Sequence, residues 1–138
     1  MKALEVVAMT TKTILLIHKD PNIGEVIEAC LTDLAGWNVL VASSTSEGLR
    51  QASIYRPDAI VLEVSGGEID CLAFLEQLRS QPAIEEIPVV LLTLKTKWSH
   101  LQQTWFQKYQ VAGAIVNPLD PGMLSVQIAK VLGWDLDC

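Results

Sequence analysis

The sequence predicts an α/β protein in which a parallel sheet is covered by helices on both faces. Two observations carry the prediction. Five short runs recur at fairly even intervals, Thr13 to Ile17, Val39 to Ala42, Ala59 to Leu62, Val89 to Leu92 and Ala114 to Val116, and each is apolar on both faces. Strands buried between two helical layers read this way. Helical patterns fill the stretches between the runs, and alternating βα order implies parallel strands joined by right-handed crossovers. The scale agrees, since 138 residues, 50% hydrophobic and 19% charged, suit one folded domain.

The first helix follows Thr13 to Ile17. Ile23, Val26, Ile27, Cys30, Leu31 and Leu34 recur at three-four spacing, with Asp20 as N-cap, Pro21 at the first helical position and Gly36 past the end. The second helix opens on Ser44-Thr45-Ser46-Glu47, a capping-box spacing, and stops at Arg56-Pro57-Asp58. The third carries Leu72, Leu75 and Leu78 and is closed by Pro82. The fourth is expected to set Trp98, Leu101, Trp105 and Ala112 on one stripe, and the fifth to start at Asp120-Pro121 and carry Leu124, Ile128, Val131 and Leu132. This gives five βα units over residues 13–134, an extension over residues 1–12 that is either a disordered, frayed tail or an added edge, and a tail over residues 135–138.

Charge and composition exclude several classes. A net charge of −6 argues against a nucleic-acid surface, which draws its affinity from clustered Lys and Arg. Cys30, Cys71 and Cys138 are odd in number and widely spaced, so neither a disulfide framework nor a zinc cluster is expected, and a reducing cytoplasm is the simplest home. The apolar stretch Ala3 to Met9 is interrupted by Glu5 and too short for a signal peptide or a membrane span.

In sheets of this kind chemistry gathers beyond the carboxyl ends of the strands. Those positions hold His18, Lys19 and Asp20 after the first strand, Glu63 after the third, Thr93 after the fourth, and Asn117 and Pro118 after the fifth. The set resembles the receiver domain of bacterial two-component response regulators. Pro21, Asp58, Asp70, Pro88, Thr93 and Pro118 all fall in register with that family from Thr13 to Trp134. The resemblance implies a single doubly wound (βα)5, flavodoxin-like fold, with strand order 2-1-3-4-5.

The departures from the family fall on its chemistry. Where receivers carry metal-binding acids this chain has His18 and Lys19, and an ammonium repels the Mg²⁺ that hard oxygen ligands would hold. Mg²⁺ binding is therefore expected to be weak or absent, with no metal ligand and no catalytic residue assigned. Glu63 takes the phosphoacceptor position with a carboxylate one methylene, about 1.5 Å, beyond an aspartate's reach. It either stands in for the charge of a phosphorylated aspartate or is a strand-end residue whose duty has lapsed. Lys19 and Glu63 are expected to be neighbours across adjacent strand ends, with the ammonium in the place of the metal. Asn117 replaces the family's phosphoryl-contacting lysine, while Thr93 and Pro118 keep its pattern.

Trp98, Trp105, Phe106 and Tyr109 load the fourth helix with aromatics, and Phe106 cannot share a face with both tryptophans, so some aromatic surface is expected to be exposed to a partner. The expectation is a degenerate, phosphorylation-independent receiver that acts through protein contact. Its expected face is the fourth helix, fifth strand and fifth helix, and its partner a histidine kinase, an output regulator or a second copy. Two alternatives stand beside it: an active receiver phosphorylated by a histidine kinase at Glu63 or a neighbouring group, and a small-molecule sensor using the strand-end crevice.

Overall fold

The computed structural model describes residues 11–18, 21–64, 68–93, 107–116 and 123–134. In chain order the elements are β1 (Thr13–Ile17), α1 (Pro21–Ala35), β2 (Asn38–Ala42), α2 (Thr45–Tyr55), β3 (Ala59–Val64), α3 (Glu68–Ser80), β4 (Val89–Thr93), β5 (Gly113–Val116) and α4 (Leu124–Leu132). The five strands form one parallel sheet in the order β2-β1-β3-β4-β5, as the resemblance implied. Helix α4 is the fifth predicted helix, because most of the predicted fourth lies outside the described residues.

Period-two alternation divides each strand between two cores. Leu15, Ile17, Ile60, Leu62 and Leu91 join Ala52 of α2 and Phe74, Leu75 and Leu78 of α3 on one face. Ile14, Leu16, Val61, Val90 and Leu92 join Ile27 and Leu31 of α1 and Leu124 and Ile128 of α4 on the other. The runs are apolar on both faces because both faces are covered.

The helix boundaries follow from local chemistry. Ser44, in extended conformation, accepts a hydrogen bond from the Glu47 N–H, and Glu47 Oε1 accepts one from the Ser43 N–H at 3.0 Å. The predicted capping box therefore forms, with the return bond landing one residue early. Gly36, at φ +71, ends α1 with its N–H on the Thr32 carbonyl, and Gly133, at φ +73, ends α4 in a Schellman turn with the Trp134 N–H on the Ala129 carbonyl. Both positions require the left-handed backbone that glycine takes without strain.

At the floor of the sheet, Arg79 at the end of α3 donates to four carbonyl oxygens. Its Nε reaches Tyr109 at 2.8 Å, its Nη1 reaches Glu85 at 2.7 Å and Ile87 at 2.8 Å, and its Nη2 reaches Gln110 at 3.2 Å. The same end holds Trp37 and Trp134 edge to face at 5.5 Å, with Lys12 Nζ 4.9 Å from the Trp134 ring centre. Two expectations need correction here. Helical structure in the predicted fourth helix reaches only Tyr109, and Ala112 instead donates its N–H to the Val89 carbonyl as the chain enters the sheet. Tyr109 is a core residue, 8% exposed, with its hydroxyl donating to Glu76 Oε2 at 3.2 Å. It is not part of an exposed aromatic surface, because the α3 side of the core takes its ring.

Candidate functional site

The carboxyl ends of β1, β3 and β4 lie side by side. Leu62 pairs with Ile17, Glu63 with Leu92, and Val64 with Thr93. The residue after Ile17 is His18, whose N–H donates to the Ala42 carbonyl at 3.0 Å and so continues the β1 pairing by one step. His18 and Glu63 are therefore adjacent across the strand ends. Alternation also assigns them one face: His18 follows Ile14 and Leu16, and Glu63 follows Ala59 and Val61, all in the core shared with α1 and α4.

His18 is buried, at 8% exposed, and its Nδ1 is shut from solvent with no hydrogen-bond partner. Such an unsatisfied group costs about 1–3 kcal/mol. The ring fits because residue 24 of α1 is glycine. A Cβ there would run into His18 Nε2, Cε1 and Cδ2, so the tip of the imidazole is seated directly on the helix backbone. Glu63 is half-buried, and its Oε1 is likewise shut from solvent.

Among the other expected site residues, Thr93 ends β4 beside Val64 and Val116. Lys19, Asp20, Asn117 and Pro118 lie outside the described residues, as do Trp98, Trp105 and Phe106. The expected Lys19 and Glu63 pair lies outside them too; among the described residues, extending the β1 and β3 register by one step sets His18 next to Glu63. Gly24 is the site residue that sequence reasoning missed. Its signal was present, because a glycine inside an otherwise helical stripe marks close packing.

The family model for the response regulator receiver domain matches residues 14–129. The chain belongs to the response regulator receiver domain family. This receiver domain, a module of two-component signalling, is 34% identical over 83 residues to the probable transcriptional regulatory protein TcrX of Mycobacterium tuberculosis, covering 60% of the chain and 34% of TcrX. It spans about a third to a half of the curated relatives it matches. Among solved structures it is similar to the chemotaxis response regulator CheY4 of Vibrio cholerae, at 24% identity and TM-score 0.76 over 88% of this chain and 99% of that one. It is also similar to the receiver domain of the Pseudomonas aeruginosa sensor histidine kinase PA1611, at 22% identity and TM-score 0.74 over 89% and 98%, respectively. That structure holds a magnesium ion in its active-site cleft.

The described residues of this receiver do not fit the same ion. Mg²⁺ demands a near-octahedral set of oxygen ligands. At the end of β1 the side chain directed into the α1 core is a buried imidazole, a nitrogen donor. Among the described residues no group of three or more His, Cys, Asp or Glu side chains is arranged to hold a metal. No described helix is long and apolar enough to cross a membrane.

Proposed function

We propose that this receiver domain signals through protein contact and without phosphoryl transfer. The observation that carries the reading is His18, seated on Gly24 and buried where an active receiver needs a metal-binding acid. Phosphoryl transfer to a receiver needs a divalent ion to neutralise developing charge and a carboxylate of the right reach. Here the carboxylate that strand register sets next to that residue is the longer Glu63. The module has no catalytic activity of its own, and Mg²⁺ binds weakly or not at all.

The partner is a histidine kinase, an output regulator or a second copy of the chain, met through the aromatic segment carrying Trp98, Trp105 and Phe106 together with β5 and α4. The described part of that face supports the reading. Met123 and Val126 are exposed large apolar side chains, and a shallow groove is lined by Ala114, Ile115, Gln127, Lys130 and Val131. Incubation with acetyl phosphate and Mg²⁺, followed by intact-mass measurement, tests the absence of phosphoryl transfer. No adduct is expected, and a stoichiometric phosphoryl adduct removed by a Glu63→Gln substitution would overturn it in favour of an active receiver.

A further inference from the structure

The edge of the sheet remote from β5 is open. β2 has no described strand beyond it. Asn38 donates its N–H to the Lys12 carbonyl and Ala42 accepts from the His18 N–H, so alternate residues turn to β1 and the backbone groups of Val39 and Val41 point outward. Gln51 Nε2 donates to the Val41 carbonyl at 3.1 Å, a side chain in the place of a strand. Exposed edges are usually guarded by a charge, a proline or a bulge. Asn38 to Ala42 has none of these, and Ile54 and Tyr55 of α2, each 58% exposed, border the same groove.

The two sides of this groove differ in charge. Val39 packs into the core of α1 and Leu40 into that of α2, with Glu28 on the α1 side and Arg50, Ile54 and Tyr55 on the α2 side. An added strand alternates between the sides, so a fitting one carries a base toward α1 and, on the opposite parity, an acid and apolar residues toward α2. Residues 1–10 lie outside the described residues, and their sequence has this pattern. Lys2, Leu4, Val6 and Ala8 share one parity; Ala3, Glu5, Val7 and Met9 share the other. The order fits too, because α2 starts near the carboxyl end of β2 and returns to the amino end of β3. A segment antiparallel to β2 meets Arg50 with Glu5, then Ile54 and Tyr55 with Val7 and Met9.

We infer that the segment from Ala3 to Met9 is a sixth strand, antiparallel to β2 on its open edge, with Glu5 on the Arg50 side and Lys2 on the Glu28 side. The connection is long enough. Thr13 is in register with Asn38, so the chain enters the sheet beside the start of β2. Reaching the far side of β2 takes two strand spacings, about 10 Å, and four extended residues span about 13 Å. Ala8 can therefore lie beyond β2 with Lys12 in place. This edge is separate from the contact face on β5 and α4, so the two readings can fail separately.

Amide hydrogen exchange of the full chain, read by NMR, tests it. Val6 has the parity that meets Val39 and Val41, and Val6→Pro removes a ladder donor outside the packed cores. The Val39 and Val41 amides are expected to exchange about tenfold faster in Val6→Pro than in the wild type, with Leu15 and Leu62 unchanged. Glu5→Arg should lower the same protection, and adding Arg50→Glu should restore it. Fast exchange at both valines in the wild type, or protection that survives Val6→Pro, would overturn the inference. So would protection lost on dilution, which would assign the edge to a second copy. A double charge variant no better protected than Glu5→Arg alone would refute the placement of Glu5 beside Arg50.

Discussion

Gly24 and His18 form a socket and its occupant, and neither makes sense without the other. Alanine normally improves a helix interior by about 1 kcal/mol over glycine. At position 24 the added methyl would collide with the imidazole. Gly24→Ala is therefore expected to destabilise by roughly 1–3 kcal/mol, the usual range for overpacking. A lowered urea midpoint at unchanged slope checks this, and a raised midpoint would show that the ring has free space to move. From the sequence His18 read as a strand-end residue in the place of a metal-binding acid, with nothing to say that it is buried. It is buried because a gap six residues later receives it, and hydropathy along the chain does not say which polar side chain has such a gap.

The elements were largely legible because their signals are short-range. Ser44 and Glu47 announced the start of α2, and Gly36 the end of α1. The capping box also has a pH signature. The Ser43 N–H bond, the largest cause, holds the Glu47 carboxyl below its ordinary value of 4.5. A carboxylate whose folded pKa is depressed contributes stability above its unfolded pKa and loses it as pH falls through the folded one. The stability difference between wild type and Glu47→Gln is thus expected to be present at neutral pH and to vanish in acid. A difference that persisted below the carboxylate range would mean the charge plays no part. Where the reading erred, at Ala112 and Tyr109, the cause was distant in sequence. The helical period was carried past Tyr109 into the approach to β5, and the groups that bury Tyr109, Glu76 and Arg79 among them, belong to α3.

At the scale of the molecule, one sheet separates two cores, and adjacent residues of β1 serve different ones. Leu15 packs toward α2 and α3, and Leu16 toward α1 and α4, both fully buried. Leu15→Ala and Leu16→Ala should each cost about 2–5 kcal/mol. The shared sheet makes the cores one cooperative unit, so each variant is expected to unfold in a single transition. Coincident fluorescence and circular-dichroism melts check this, and separated transitions in either variant would show two independent halves. The topology followed from alternating βα order and family register. The chemistry of the crevice was less legible, because side-chain partnerships at strand ends depend on register between strands, which only the folded sheet displays.

The Arg79 fork has a consequence for how this chain tolerates change. A single guanidinium reaches the approach to β4 at Glu85 and Ile87 and the approach to β5 at Tyr109 and Gln110. Surface connections usually absorb insertions and deletions cheaply. The connection between α3 and β4 is an exception, since adding or removing one residue there would slide two carbonyls off a rigid planar donor that has no slack to follow them.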